Sequence, residues 1–407
     1  MIPPMVLTYE QALHTVRERI TVTPLQVASE TVPLEEALGR VLAEQIRASR
    51  DYPPFDRSAR DGYAVRSADV QGSHAVLECV GEVAAGAYFE GEIKPGKCAT
   101  IMTGAPLPSG ADAVVMIEAT TKQNERVEIH QAVRADENVV PKASEARAGS
   151  LVLDCGTRLR ADAIGVLAAN GHTHVEVFRK PRVAILPTGN ELVSASVEPE
   201  WFQIRDSNAS SLAAQVIEAG GEPWQLGIAR DSDEDLKSLI SKGLQADLLL
   251  VSGGVSVGKY DLVEHVLEGL GGEFYFRGAS IRPGRPVVFG RIGEKFFFGL
   301  PGNPVSTLVT FMLFVRPVLN TLAGGAFEEP VFLRARLASP RAGKKDLTVF
   351  VPAYTRMRDG EPFVEPAAWQ GSGDIVNFTA ADCLMVFQPG QTSVDEGAWV
   401  DVLPLPR

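Results

Sequence analysis

The chain has 407 residues, of which 51 are acidic and 39 are basic, giving a formal net charge of −12 at pH 7. This length predicts about two to four domains, and the acidic balance argues against a nucleic-acid-binding or anionic-membrane surface, because both need clustered Lys and Arg. The four cysteines form no CxxC pair, which favours reduced thiols over a zinc site or a disulfide framework. We therefore expect a cytoplasmic protein that binds neither nucleic acid nor membrane.

The first part of the chain alternates helical and β-type patterns. Short β-type runs separated by Gly and Pro are predicted at 75–80, 99–102, 113–118 and 126–130. They define an inserted β domain at 51–140, flanked by a discontinuous helical arm made of 1–50 and 141–181. His172 and His174 alternate on a strand of the arm, but without a third ligand nearby they are expected to be surface residues rather than metal ligands.

From residue 182 the pattern changes to strands and helices in alternation, with strands predicted at 183–186, 225–229 and 247–251. Repeated βα units predict a parallel sheet with helices on both faces and a ligand site at the carboxyl ends of the strands. An apolar segment at 305–319 contains Thr, Arg and Pro, which favours a buried helix over a membrane span. We predict a central α/β domain at 182–326 and a terminal β domain at 327–407.

The most informative segment is LLLVSGGVSVGKYD at 248–261, an apolar strand followed by a glycine-rich turn, which we call the glycine loop. Glycines let backbone N–H groups turn toward an anion, and a following helix N-terminus adds its positive dipole end. Neither GxxxxGK[ST] nor GxGxxG fits, so the loop predicts a phosphorylated ligand held in another way. A tight turn without a ligand is the alternative. The candidate binding residues are Ser252, Gly253, Gly254, Ser256 and Gly258.

Three carboxylates, Glu191, Asp231 and Asp261, follow the ends of three predicted strands of the α/β domain. The carboxyl ends of parallel strands meet at one edge of a sheet, so these groups are expected to converge. Mg²⁺ commonly takes one or two carboxylates together with phosphate oxygens, which predicts a hydrated divalent cation here. Helix capping by the two aspartates and a solvated glutamate explain the pattern equally well.

Two turns of the α/β domain are suited to anions. RPGRP places Arg282 and Arg285 on a stiff turn, where guanidinium groups can make bidentate hydrogen bonds; a plain surface turn is the alternative. LPGNP ends a strand and starts a helix, with Asn303 as the predicted N-cap and a proline at the first helical position. The exposed backbone amides that follow Pro301, at Gly302, Asn303 and the helix start, predict a second anion site.

In the β domain, Asp61 and Thr103 lie in the glycine-containing turns SARDGYA and MTGAP. Taken alone, such turns are more often structural than functional. HExxH is absent, so the sequence gives no sign of a zinc protease.

Taken in order, seven motifs resemble those of the molybdopterin molybdenumtransferase family, the MoeA type, whose relatives include the E domain of gephyrin. They are PPFDRSARDGYAV, IMTGAPLPSGADAVV, RVAILPTGNELV, SGGVSVGKYD, RPGRP, GLPGNPVS and QGSGD, and they span nearly the whole chain. The resemblance implies a multidomain α/β plus β fold: a helical arm, an inserted β domain, a central molybdopterin-binding α/β domain and a C-terminal β barrel. It also implies a homodimer in which the β domain of one subunit faces the α/β domain of the other.

The reaction implied by the resemblance is insertion of molybdate into adenylyl-molybdopterin with Mg²⁺-dependent release of AMP, which gives molybdenum cofactor. The glycine loop and the helix start at Asn303 would hold the phosphates of the pterin nucleotide. The three strand-end carboxylates would organise Mg²⁺ and the leaving group, and the RPGRP arginines would attract molybdate. Asp61 and Thr103 would complete an intersubunit active site. Contacts with the molybdopterin adenylyltransferase and with molybdoenzyme chaperones are implied as well.

Several positions depart from the pattern that this resemblance implies. They are Arg282 and Arg285, where members often have lysine, Arg60 in place of methionine, Asn190 in place of aspartate, and Pro352 in place of an arginine. Arginine keeps the charge and adds bidentate geometry, whereas Pro352 removes a charge. These changes leave open a tungstate-preferring paralogue or a non-catalytic pterin-binding scaffold. A pterin adenylyltransferase or nucleotide hydrolase would leave the arm and both β domains unexplained.

Overall fold

The computed structural model describes residues 6–23, 27–72, 74–254 and 262–406. The chain forms two compact units. The first unit comprises Met1–Thr31, Gly39–Ala43 and Glu176–Arg407, and the second comprises Val32–Leu38 and Glu44–Val175. The predicted division into four domains stays a prediction at its boundaries.

The N-terminal helix α1 (Tyr9–Val22) begins at a capping box. The Thr8 hydroxyl accepts a hydrogen bond from the Gln11 amide at 3.2 Å, and the Gln11 side chain accepts one from the Thr8 amide at 3.0 Å. The buried face of α1 packs into the same hydrophobic core as the α/β sheet described below. This helix therefore shares its core with the α/β region, although the sequence pattern assigns it to the arm.

The region that follows is built mainly from short strands and one helix. In chain order these are β1 (Ser29–Pro33), β2 (Ile46–Arg47), β3 (Arg57–Ser58), β4 (Gly62–Val65), β5 (Ala75–Val83), β6 (Lys97–Ile101), β7 (Ala113–Met116), β8 (Thr120–Gln123), β9 (Arg126–Ile129), β10 (Val139–Val140), β11 (Leu151–Leu153), α2 (Ala161–Ala169) and β12 (His174–Phe178). Six strands form one sheet in the order β7-β4-β6-β5-β9-β8, with apolar clusters formed by its residues. The sequence pattern misses β8 because TTKQ is a polar, largely exposed edge strand.

The α/β region alternates strands and helices up to a long C-terminal helix. Its elements are β13 (Arg182–Pro187), β14 (Leu192–Val193), β15 (Ile204–Arg205), α3 (Asn208–Glu218), β16 (Glu222–Gln225), α4 (Asp233–Gly243), β17 (Leu248–Ser252), α5 (Leu262–Gly269), β18 (Glu273–Phe276), β19 (Ile281–Arg282), β20 (Val288–Ile292), β21 (Lys295–Leu300), α6 (Pro304–Thr310), a π-helical turn (Phe311–Val315) and α7 (Arg316–Leu322). The sheet order is β16-β13-β17-β21-β20-β18. Apolar clusters with residues of the helices lie on both faces.

Four of these strands are parallel, as predicted, but β20 runs antiparallel to both of its neighbours, so the sheet is mixed. The predicted parallel sheet is therefore present in these four strands, and β20 adds antiparallel pairing near one edge. Only Gly293 and Glu294 connect β20 to β21, and Gly293 has a φ of +57°. A two-residue hairpin can join only antiparallel strands, whereas a parallel pair needs a long crossover.

The predicted buried helix is present as the continuous helical segment Pro304–Leu322. Within the part of the chain that is described, it is the one helix long and apolar enough to cross a membrane, and 78% of its apolar window is buried inside the protein. The helix continues through Pro317 because the preceding turn is π-helical. The wider turn leaves room for the proline ring and does not need the backbone N–H that proline lacks.

The C-terminal region is a closed barrel of five strands. Its elements are β22 (Leu333–Leu337), β23 (Thr348–Arg358), β24 (Glu361–Pro366), α8 (Ile375–Phe378), β25 (Cys383–Phe387) and β26 (Trp399–Pro404). The ring runs β23-β24-β22-β26-β25 and closes by pairing of β25 with β23. Pro352 is buried in β23 opposite Leu384. Phe350, Leu384 and Leu403 join the α/β core, so the barrel and the α/β region share one hydrophobic core.

Asp247, just before β17, anchors the amino end of the α/β sheet. Its carboxylate accepts two hydrogen bonds of 2.7 Å from the Arg179 guanidinium and one of 2.8 Å from the Arg182 amide. Burial, the largest single influence, acts to raise the pKa of Asp247, but the Arg179 and Arg182 hydrogen bonds and the nearby cationic charges together lower it. The ionised carboxylate therefore stabilises the fold above its unfolded-state pKa, and this stabilisation is lost as the pH falls through the lower folded-state pKa.

We expect Asp247→Asn to reduce the free energy of unfolding by about 1–3 kcal/mol at neutral pH, because it removes a charged acceptor from a partly buried network. The difference from the unmodified protein should shrink on acidification to about pH 3, because this is below the ordinary aspartate pKa of about 3.9 and the unfolded-state carboxylate is then mostly protonated. Urea unfolding at both pH values measures it. Glu198→Gln, which breaks an exposed pair with Arg205, is the control and should have little effect. An equal loss at both pH values would contradict this account.

Candidate functional site

A cavity of about 620 Å³ lies in the first unit, at the carboxyl ends of the parallel strands β13, β17 and β21. It gathers nine of the residues predicted from the sequence: Glu191, Asp231, Ser252, Gly253, Gly254, Arg285, Pro301, Gly302 and Asn303. Its volume falls in the range of small-molecule and cofactor sites. The strand-end rule thus brings the glycine loop, two carboxylates and one arginine to one cavity.

The described part of the glycine loop has a backbone that only glycine adopts easily. Gly253 and Gly254 have φ values of +92° and +63°, and the Gly253 amide donates to the Leu300 carbonyl at 3.1 Å. A Cβ on Gly253 would lie 2.6 Å from the carbonyl oxygen of Thr188. The loop is therefore locked against the end of β13. The predicted residues Ser256, Gly258 and Asp261 lie outside the described residues.

Asn208 lines the cavity, although the sequence analysis did not select it. Its side-chain amide donates to the Ser252 hydroxyl at 3.0 Å and to the Gly302 carbonyl at 2.8 Å, and the residue is 9% exposed. It thus joins the start of α3 to the glycine loop and to the turn before α6. In the sequence, an asparagine at the start of a helix indicates only a cap, so the pattern gave no sign of these long-range contacts.

Thr188 is a second residue that sequence reasoning missed. It lines the cavity and is 4% exposed. Its hydroxyl has no hydrogen-bond partner among the residues that the structure describes. A buried polar atom without a partner is costly in a folded protein, so the hydroxyl is a candidate contact for a polar ligand.

The two described carboxylates lie on neighbouring segments of the cavity wall. The Glu191 carboxylate lies over Gly189, where an added Cβ would come within 2.5 Å of Oε2. Asp231 accepts a hydrogen bond from the Asn190 amide, and its own amide donates to the Asn190 side chain, both at 3.2 Å. These hard oxygen donors in a cavity beside glycine-loop amides fit Mg²⁺, which takes one or two carboxylates plus ligand phosphate oxygens.

The RPGRP turn contributes one of its two arginines to the cavity. Arg285 lines it, whereas Arg282, on β19 beside the barrel strand β23, does not. Both side chains are exposed, and no hydrogen bond or ion pair to either guanidinium occurs within the described ranges. Gly284 fixes the turn, since a Cβ there would lie 2.5 Å from the Thr310 side chain of α6. Of the two arginines predicted to bind an anion together, only Arg285 is thus among the residues that line this cavity.

The helix start at Asn303 differs from the prediction in one respect. Asn303 holds the N-cap position and Pro304 follows it, as expected, but the Asn303 side chain does not cap the helix. It donates instead to the Ser372 hydroxyl at 2.9 Å, and the Val305 amide donates to the Ser372 carbonyl at 3.0 Å. The Ser372 carbonyl, from the QGSGD motif, therefore accepts a hydrogen bond from one of the helix-start amides that were predicted to bind an anion.

Asp61 and Thr103 are joined to each other in the second unit. The amide and the hydroxyl of Thr103 donate to the same Asp61 carboxylate oxygen at 2.6 and 2.8 Å. These bonds, the backbone one first, lower the pKa of Asp61. The pair is exposed to solvent, and its place in an intersubunit site stays a prediction.

We expect Asn208→Ala to weaken ligand binding in the cavity by about tenfold and to lower the free energy of unfolding by about 1–2 kcal/mol, because two hydrogen bonds to separate wall segments are lost. Isothermal titration with a nucleotide ligand and urea unfolding measure the two effects. Gln215→Leu is the matched control on the same helix. The buried Gln215 amide has no hydrogen-bond partner among the described residues, so this change should be neutral or stabilising. Equal losses in the two variants would argue against a special role for Asn208.

Comparison with known proteins adds three matches along the chain. Residues 7–171 match the MoeA N-terminal region (domain I and II), residues 184–321 a probable molybdopterin binding domain, and residues 334–405 the MoeA C-terminal region (domain IV). The molybdopterin molybdenumtransferase of Nostoc sp. is 40% identical over 94% of this chain and 90% of its own length. The enzyme of the same name from Bacillus subtilis is 34% identical over 93% of this chain and 90% of its own length.

Solved structures show the same similarity. The molybdopterin biosynthesis MoeA protein of Pyrococcus horikoshii has a TM-score of 0.83 at 30% identity, with 98% of this chain and all of that chain covered. Another structure of a molybdopterin biosynthesis MoeA protein from the same organism has a TM-score of 0.75 at 36% identity and covers 98% of this chain and 99% of the other. The multidomain α/β plus β-barrel fold expected from the sequence is confirmed by these matches.

Proposed function

Since this chain belongs to the molybdopterin molybdenumtransferase family, we propose that it inserts molybdate into adenylyl-molybdopterin with Mg²⁺-dependent release of AMP. Membership makes the protein a transferase of molybdenum cofactor biosynthesis.

One observation carries the proposal. Among the described residues, a single cavity combines a glycine loop, a buried hydroxyl without a hydrogen-bond partner, an arginine without an acidic partner and two carboxylates. Glycine-loop amides and a guanidinium suit an anionic ligand, whereas carboxylates beside a phosphate suit a divalent cation. A pterin nucleotide joined through phosphates to AMP has the charges that this arrangement would match.

Each group of residues that lines the cavity then has a role in the reaction. The glycine-loop amides other than that of Gly253, which donates to Leu300, and the Thr188 hydroxyl bind phosphate or pterin oxygens, and Asn208 holds the loop in place. Arg285 attracts the molybdate dianion and orients it by bidentate hydrogen bonds. Glu191 and Asp231 would hold Mg²⁺. Bound there, Mg²⁺ would neutralise phosphate charge and favour departure of AMP.

The remaining assignments rest on the resemblance and extend the proposal. The enzyme acts in the cytoplasm as a homodimer, with Asp61 and Thr103 of one subunit completing the site of the other. It receives its substrate from the molybdopterin adenylyltransferase and passes its product to molybdoenzyme chaperones. Crosslinking and sedimentation of the purified protein test the dimer independently of catalysis.

The decisive experiment supplies the purified protein with adenylyl-molybdopterin, Mg²⁺ and molybdate and follows AMP release over time. We expect release that depends on both Mg²⁺ and molybdate. Binding of the nucleotide without molybdate-stimulated release would overturn the transferase proposal and favour a pterin-binding scaffold. Parallel reactions with tungstate measure the preferred oxyanion, and repeating them with Arg282→Lys and Arg285→Lys shows whether the two arginines set that preference.

A further inference from the structure

A group of three metal-ligand side chains lies in the second unit, apart from the cavity residues. It consists of His74, Glu128 and His130, each of which offers one ligand atom, and these atoms all lie within 4.8 Å of one another. No other set of three or more His, Cys, Asp or Glu side chains in the described part of the chain meets this criterion. Nothing in the proposed transferase reaction uses these residues.

The backbone ladder explains why the three side chains meet. Strands β5 and β9 are antiparallel, and Val76 lies opposite Glu128. His74 is two residues before Val76, and His130 is two residues after Glu128, so all four project from the same face of the sheet. This face is open to solvent, since Val76 is 62% exposed. The two histidine rings are arranged edge to face with centroids 6.0 Å apart.

The donor set selects a class of metal ion. Two imidazoles and one carboxylate form a set that zinc sites use, with a further position left for water or another ligand. Such nitrogen donors suit Zn²⁺, Co²⁺, Ni²⁺ and Cu²⁺, whereas Mg²⁺ prefers an all-oxygen environment. Bonds of about 2.0–2.1 Å place tetrahedral ligand atoms roughly 3.3 Å apart. Small side-chain rotations on an exposed face can close the remaining gap.

A second contact supports metal binding by His130. Its Nε2 lies 2.8 Å from the Thr121 hydroxyl on the neighbouring strand β8. A hydrogen bond from one ring nitrogen to an outer group is the usual way in which a ligating histidine is oriented, because it leaves the other nitrogen free for the metal. The Nδ1 atom of His74 already lies 3.8 Å from the Glu128 carboxylate.

We propose that His74, Glu128 and His130 form a surface site for a divalent transition-metal ion of the zinc type, separate from the Mg²⁺ site proposed in the cavity. The site is oriented by Thr121 and is complete within one chain.

The test titrates Zn²⁺ and Co²⁺ into the full-length protein in excess Mg²⁺, which occupies the all-oxygen sites. Cys155 is an exposed thiol, so the experiment uses a Cys155→Ser background. We expect one equivalent of Zn²⁺ by calorimetry and a visible Co²⁺ spectrum typical of imidazole ligation. His74→Ala and His130→Ala should each weaken binding by more than about tenfold, and Thr121→Val should weaken it less.

His174→Ala is the matched control. His174 is another exposed histidine that begins a strand and lies beside a threonine hydroxyl, but it belongs to no such group of three among the described residues. Its replacement should leave both titrations unchanged. Thermal unfolding without metal should be the same for all variants, because the altered side chains are mostly exposed. No binding by the unmodified protein, or unchanged affinity in the His74 and His130 variants, would overturn the proposal.

Discussion

Replacing Glu191 with glutamine is expected to lower molybdate-dependent AMP release by about 10²–10³-fold, the usual effect of removing one charge-stabilising group from an active site. Glutamine keeps the size and hydrogen-bonding capacity of the side chain but removes the negative charge proposed to hold Mg²⁺. Glu191 is exposed and lies over Gly189, so the fold should be unaffected.

Initial rates of AMP release measured across a range of Mg²⁺ concentrations test this prediction. The Mg²⁺ requirement should rise in the variant, which distinguishes loss of metal binding from a general loss of activity. Glu198→Gln, in the nearby loop after β14, is the control and should retain normal rates because Glu198 pairs only with Arg205 on the surface among the described contacts. A Glu191→Gln protein with unchanged rate and Mg²⁺ dependence would remove Glu191 from the site.

Replacing Gly253 with alanine is expected to abolish measurable binding of a nucleotide ligand and to destabilise the protein. The residue has a φ of +92°, and the new Cβ would lie 2.6 Å from the Thr188 carbonyl oxygen. The backbone strain alone costs roughly 1–3 kcal/mol. Movement of the loop to relieve the clash would redirect the amides proposed to bind phosphate and would separate Ser252 from Asn208.

Ligand titration and urea unfolding of Gly253→Ala measure the two effects. Gly302→Ala is the control for the fold, because its Cβ would meet only the Cα of Gly253 within 4 Å, at the ordinary contact distance of 3.6 Å. We expect its free energy of unfolding to change by less than about 0.5 kcal/mol. If Gly253→Ala binds the ligand normally, the glycine loop does not form the phosphate cradle.

The sequence predicted the site best where candidate binding residues come directly after the carboxyl end of a strand. Glu191, Asp231 and the glycines after β17 could be predicted to meet, because parallel strands bring their carboxyl ends to one edge whatever the details of packing. Family resemblance then supplied the reaction that no local pattern contains. The same rule gave no information about Asp61 and Thr103, whose mutual hydrogen bonds depend on a turn-to-turn contact.

The parts that escaped prediction depend on contacts between distant segments. Asn208 has the sequence signature of a helix start, but its side chain bridges residues 44 and 94 positions away. Asn303 was expected to cap its own helix, yet it bonds to Ser372, 69 positions along the chain. An amide side chain has several acceptors within reach, and which one it chooses is decided by tertiary packing rather than by local sequence.

The core that the barrel shares with the α/β region limits how this protein can be shortened or recombined. Phe350, Leu384 and Leu403 belong to the same apolar cluster as residues of the long helix, and Ser372 accepts hydrogen bonds from Asn303 and Val305 at the start of that helix. A chain ending before residue 327 would expose this apolar surface to water and remove part of the cavity wall. The C-terminal barrel is therefore no detachable module, and a chimera would need to exchange the barrel together with the helix face that it covers.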